Sequence, residues 1–293
     1  MSEVRTRSLL VAGAATAAVV LALVAGAFAL ETWQRPSADP PADPTPDNST
    51  LTKKVTGAPE ETAAAEPTSW LKGKVIVIDP GHRLGNRNFP SEVTEMVPAG
   101  GFEKICNTTG TSTNDGYPEA TFTYDVAMRL ARALRHSGAR VVLTRHDNSA
   151  DKWGPCVDER GRAGNKIHAD LKVSIHADGS WTGHGFHVIA PRLLDGWTDD
   201  VYGVSKRLAV DLRDAMVAAG FDRSTYRGGG DGLDFRADLA TLNLSDIPVA
   251  MVECGNMRDD GEAKIMESRR GRQRYAVALL QGIREFVKSQ PAG

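Results

Sequence analysis

Lys74-Val75-Ile76-Val77-Ile78-Asp79-Pro80-Gly81-His82 decides the reading of this chain. Four consecutive β-branched apolar residues predict a short strand buried on both faces. Asp79-Pro80-Gly81 is a turn cluster that stops it. His82 is then the first residue past the turn, at the carboxyl end of a buried strand, where open α/β sheets bind their ligands.

Two later stretches repeat the arrangement. Leu171-Lys172-Val173-Ser174-Ile175-His176 is a β-rich run ending in a histidine, and Pro248-Val249-Ala250-Met251-Val252-Glu253 is an apolar run ending in a carboxylate. If these strands run parallel, His82, His176 and Glu253 meet at one edge of one sheet. Between them, Glu119-to-His136 carries Phe122, Val126, Leu130 and Leu134 at i+4 spacing, a helix with one apolar stripe. Pro118 suits its first position and Gly138 its exit, so Glu119 falls in the first turn, where the helix dipole favours a carboxylate.

The remaining segments alternate. Strands are expected at Arg140–Arg145 and Gly185–Ala190, and helices over Val157–Ile167, Asp200–Gly220 and, as one or two, Asp259–Lys288. Arg83–Pro118 reads as a long loop holding a hairpin around Glu92–Val97 and Gly101–Cys106. Asp222–Asp246, with Gly228-Gly229-Gly230, Arg236 and Asp238, reads as a second irregular region. This order predicts a single three-layer α/β sandwich: a twisted, mostly parallel sheet with helices on both faces.

The chain has 293 residues, 41% hydrophobic and 25% charged, with net charge −2. No dense Lys/Arg run stands out, so nucleic-acid binding has no compositional support. Arg5 and Arg7 precede an almost continuously apolar stretch from Leu9 to Leu30, and Ala27-Phe28-Ala29 offers a cleavage site. Residues 1–30 therefore read as a signal peptide or an N-terminal membrane anchor, and either places the rest outside the cytoplasm. Residues 31–69 are rich in Pro, Ala and Thr, with too few large apolar side chains to offset ordering, and read as an extended tether. The globular part is expected over 70–290.

Zinc takes histidine nitrogen and carboxylate oxygen, and a catalytic site keeps one position for water. His82 and His176 are candidate ligands, and Glu119 is the best third. Glu253 stands at the same edge, free to act as a general base. Each has a plainer reading: two strand-end histidines can be satisfied structural residues, and Glu119 a helix-start glutamate. His184 and His187, three apart on a strand, would face opposite ways and make a poor joint ligand pair. Of the three cysteines, Cys254 follows Glu253 and should point into the core, which leaves Cys106 and Cys156 to pair in an oxidising compartment.

Val77-to-His82, Ser174-to-Asp178 and Val249-to-Gly255 resemble the three motif blocks of the zinc-dependent N-acetylmuramoyl-L-alanine amidases of bacterial cell walls. Arg160-Gly161-Arg162-Ala163-Gly164-Asn165 is similar to the Arg-rich helix of that family. The resemblance spans about Lys74 to Val287. It implies Zn²⁺ on His82, Glu119 and His176, with Glu253 catalytic. It also implies a peptidoglycan or muropeptide substrate cut between the lactyl group of N-acetylmuramic acid and L-alanine. The chain departs from the pattern at Arg83-Leu84-Gly85-Asn86, where many relatives carry glycines, and at Asp178, where asparagine is common. A monomer is expected, touching the membrane only through its N-terminal segment. Rival readings are another zinc cell-wall hydrolase, a carboxypeptidase or deacetylase, or a non-catalytic wall-binding module.

Overall fold

A computed structural model describes residues 69–290. The expected export segment, and the tether up to residue 68, lie outside the described residues. The elements in order are β1 (Val75–Pro80), α1 (Pro90–Val93), β2 (Met96–Pro98), β3 (Glu103–Ile105), α2 (Glu119–His136), β4 (Arg140–Leu143), α3 (Val157–Arg162), β5 (Leu171–Asp178), β6 (His187–Pro191), α4 (Tyr202–Ala218), β7 (Leu233–Arg236), α5 (Ala240–Asn243), β8 (Val249–Asn256), α6 (Asp260–Glu267) and α7 (Arg269–Ser289).

Six strands form one sheet in the order β4-β1-β5-β8-β6-β7, and β2-β3 make a separate hairpin. β1, β4, β5 and β8 run parallel; β6 pairs antiparallel with β8 and carries β7 parallel to itself. The sheet is thus mostly parallel with a reversed edge pair. On the strands of the parallel block, side chains alternate between faces. Ile76, Ile78, Val173, Ile175, Ala250 and Val252 join Leu130, Leu134, Leu208, Leu212, Leu279, Ile283 and Phe286 in one large core beneath α2, α4 and α7. The opposite face is thinner. Val77, Val249 and Met251 sit there in small clusters near α3 and α5.

α2 runs over the residues its apolar stripe predicts. Its exit is glycine-dependent: Gly138 has φ +95, and the amides of Gly138 and Ala139 donate back to the carbonyls of Arg135 and Leu134, a left-handed cap that the missing Cβ permits. The expected helix over Val157–Ile167 breaks at Ala163-Gly164. Gly164 has φ +96, and a Cβ there would lie 2.7 Å from the side chains of both Ile247 and Val77, so the break is imposed by close approach of the sheet. The expected irregular stretch Asp222–Asp246 contains β7 and α5.

Candidate metal centre

The register of β5 and β8 pairs His176 with Glu253, and β6 brings His187 opposite Glu253 from the other side. Cross-strand partners share a face, so a row of polar side chains crosses the thin face at the strand ends. His82 follows Gly81 in a left-handed backbone, φ +52, a conformation costly for a residue with a Cβ. Gly81 is required by space: a Cβ at residue 81 would lie 2.5 to 2.7 Å from the His176 ring atoms.

Two buried arginines hold this turn. Arg145 donates to the carbonyls of Pro80, Gly81 and Ala120. Arg160 donates to those of Pro80 and His82, at 2.7 and 2.8 Å, and pairs with Asp79 at 2.6 Å. Asp79 is fully buried and also accepts from Thr144 and Ser174. Burial alone would raise its pKa, but Arg160 and the two hydroxyls keep the carboxyl ionised far below the usual carboxylate range. The sequence placed Asp79 in a turn that ends the strand and gave Arg145 no role, but β1 continues through Pro80 because Asp79 and Pro80 pair with Ser174 and Ile175; a charge inside an apolar strand must then find a partner.

Glu119 bridges the histidines. Its Oε1 lies 3.0 Å from His176 Nδ1 and its Oε2 3.3 Å from His82 Nε2. The amides of Thr111 and Ala177 donate to the same carboxylate. The nitrogen and oxygen donors of His82, Glu119 and His176 all lie within 4.8 Å of one another. His82 Nδ1 lies 3.1 Å from the Thr108 carbonyl, which can only accept, and 3.2 Å from the Thr108 hydroxyl; with the proton on Nδ1, the neutral ring presents the Nε2 lone pair toward a carboxylate oxygen. Two lone pairs facing at that distance suit a cation between them, and two imidazoles with one carboxylate are donors zinc accepts. Gly110 leaves the room, since a Cβ there would lie 2.7 Å from Glu119 Oε2. A second group of potential ligands, Cys156, Asp158 and Glu159, is spoken for: Cys156 Sγ is bonded to Cys106.

Burial opposes ionisation of Glu119, yet His82 and His176 hold its carboxyl well below the usual range; Glu119 in turn overcomes burial to raise His82, while burial lowers His176. Glu253 moves the other way. Burial, then the charges of Glu119 and Asp178, push it well above an ordinary glutamate, and its Oε2 is buried with no hydrogen-bond partner among the described residues. A cleft of about 210 Å³ opens over the centre, where His82, His176, Glu253, Lys104, Thr241 and Met251 are among its lining residues.

The Cys106–Cys156 bond is present, and it ties the segment carrying Thr108 to the start of α3, which carries Arg160. Cys254 is fully buried in the large core. His184 is exposed and His187 buried, and neither joins the donor cluster.

Residues 76–285 match the family model described as N-acetylmuramoyl-L-alanine amidase. The chain belongs to that family. This amidase is 42% identical over 232 residues to the N-acetylmuramoyl-L-alanine amidase Rv3717 of Mycobacterium tuberculosis, an alignment covering 78% of this chain and 92% of the relative. Among solved structures it is similar to the amidase Ami1 of Mycobacterium smegmatis, with 40% identity and a TM-score of 0.70 over 75% of this chain and 99% of the other. The apo Ami1 of Mycobacterium abscessus gives 41% identity and a TM-score of 0.68, over 73% and 99%. Family membership makes the chain a peptidoglycan-hydrolysing enzyme and sets aside the carboxypeptidase, deacetylase and binding-module readings.

Proposed function

We propose that this amidase cuts the bond between the lactyl group of N-acetylmuramic acid and L-alanine with Zn²⁺ held by His82, Glu119 and His176, and with Glu253 as proton carrier. The observation that carries the reading is the convergence of those three donors beside an unpartnered, buried Glu253 oxygen. Bound zinc would supply Lewis acidity, acidifying an attacking water and polarising the amide carbonyl. Glu253 accepts the water's proton and delivers it to the departing alanine nitrogen. Glu253 lines the cleft, so one carboxyl can take the water's proton and return it to the leaving nitrogen. Thr108 fixes the His82 tautomer, and Arg145 and Arg160 hold the backbone that aims it.

Leu9–Leu30 behind Arg5 and Arg7 supports export, with the domain acting outside the cytoplasm as a monomer on a tether of residues 31–69. Among the described residues no helix is long and apolar enough to cross a membrane.

The test is a muropeptide digest with the purified chain, combined with metal analysis. Products ending in a free lactyl carboxylate and a free N-terminal alanine, with one zinc per chain, are expected. Glu253→Gln should keep the zinc and lose about 10²–10⁴-fold in turnover. Near-normal turnover, or loss of zinc with the carboxylate, overturns the role given to Glu253.

A further inference from the structure

The stretch Arg269-Arg270-Gly271-Arg272-Gln273-Arg274 is a local arginine run that the charge reading passes over: four arginines in six residues of a chain with net charge −2. The fold places it in the opening turns of α7, where Ser268 caps the helix and the first turn holds no acidic residue. A helix N-terminus already carries partial positive charge, so the arginines add to it.

Some of these side chains have work inside the fold. Arg272 Nε lies 3.1 Å from Asp125 and its Nη1 donates to the Met266 and Glu267 carbonyls. Arg274 donates to the Ala219 carbonyl and covers the Phe221 ring. Arg129, reaching across from α2, pairs with Asp125 and donates to Gln273. Arg269 and Arg270 are exposed and make no ion pair or side-chain hydrogen bond among the described residues.

Arg129, Arg269, Arg270 and Arg274 surround a groove of about 660 Å³ floored by Ala219 and Val277, and no carboxylate lines it. Val277 is 45% exposed. The groove shares no lining residue with the catalytic cleft. Like charges gathered on one concavity repel, and the fold leaves two of them without counter-charge.

We propose that this groove binds a phosphodiester-linked polyanion, a chain of phosphates joined by polyol units, independently of the catalytic cleft. Guanidinium forks grip phosphate oxygens in pairs. A tetrahedral phosphate offers oxygens to several forks at once, whereas a planar carboxylate offers one edge. The apolar floor suits the carbon segments between phosphates. A concave site flanked by helices suits a chain better than a flat lipid surface. Bound there, such a polymer would hold the hydrolase close to the wall while the cleft stays open.

The experiment measures binding of the full chain, in neutral detergent, to synthetic poly(glycerol phosphate). Polyglutamate and vesicles of phosphatidylglycerol mixed with phosphatidylcholine serve as the other arms. Arg269→Gln/Arg270→Gln should weaken polymer binding by about tenfold or more, with each single change giving part of the loss. Melting temperature and hydrolysis of soluble muropeptide should stay at wild-type values, since both side chains are exposed and outside the cleft. Binding should also weaken with added salt. The proposal is overturned if the double variant binds the polymer as wild type does or if polyglutamate binds equally well. It is also overturned if only the vesicles distinguish the variant, which would make the groove a membrane contact.

Discussion

On the face covered by α2, α4 and α7, β1, β5 and β8 present Ile76, Ile78, Val173, Ile175, Ala250, Val252 and Cys254, all fully buried. On the other face the alternating positions set Asp79, Lys172, Ser174, His176 and Glu253 among the apolar Val77, Val249 and Met251. The first set only packs; most of the second ionises or hydrogen-bonds. Because the strand period is two, neighbouring residues of one strand serve opposite ends. The polar face keeps Asp79 and Lys172 because an arginine, hydroxyls and backbone carbonyls answer them, while Glu253 Oε2 stays unpartnered among the described residues and the apolar face supplies stability.

The sharpest way to separate the two faces is to remove one group from each. His82→Ala should empty the centre: zinc content measured by mass spectrometry should fall to none and turnover to background, while the melting temperature changes far less than activity. Retained zinc would break the assignment. Asp79→Asn comes next. It leaves the buried Arg160 without its counter-charge, at a cost of about 3–5 kcal/mol, and loosens the carbonyls that aim His82, so stability and turnover should fall together. Leu279→Ala on the opposite side should cost about 2–5 kcal/mol by cavity formation, with turnover of the still-folded fraction unchanged. Equal activity losses for Asp79→Asn and Leu279→Ala would erase the distinction between the faces.

The smallest effect is one of pH. Burial pushes Lys172 down to about 7, although its ammonium donates to the carbonyls of Arg160 and Gly161. In the unfolded chain it keeps its proton to about pH 10. Between those values the unfolded state binds more protons, so this group makes stability rise as pH climbs from about 7 to 10, and its full cost applies below 7. Denaturant melts across that range should show the rise in wild type and lose it in Lys172→Met. A flat wild-type profile would mean that the carbonyl cradle fully accommodates the charge.

Much of this was legible in the sequence. The runs Lys74–His82, Leu171–His176 and Pro248–Glu253 announce buried strands with chemistry at their ends, and the stripe from Phe122 to Leu134 announces α2. The donor cluster follows because parallel neighbours bring His82 and His176 to one edge, where the start of α2 adds Glu119. The direction of β6 was not legible: an apolar run reads alike in both senses, and only pairing with β8 reverses it. Nor was the grip of Arg145 on Pro80 and Gly81, which joins residues 64 and 65 positions apart. The arginines of α7 were visible but averaged away, because a whole-chain charge of −2 hides what six residues concentrate.

The left-handed backbone at His82 sets a trap for anyone stabilising this enzyme. Glycine at that position would relieve a torsional cost of about 1–2 kcal/mol and would rank well in any search guided by folding free energy alone. It would also delete the imidazole. On the proposed assignment, a stable but inert variant is therefore one codon change away, and redesign here has to treat conformational discomfort at residue 82 as the mark of a working part.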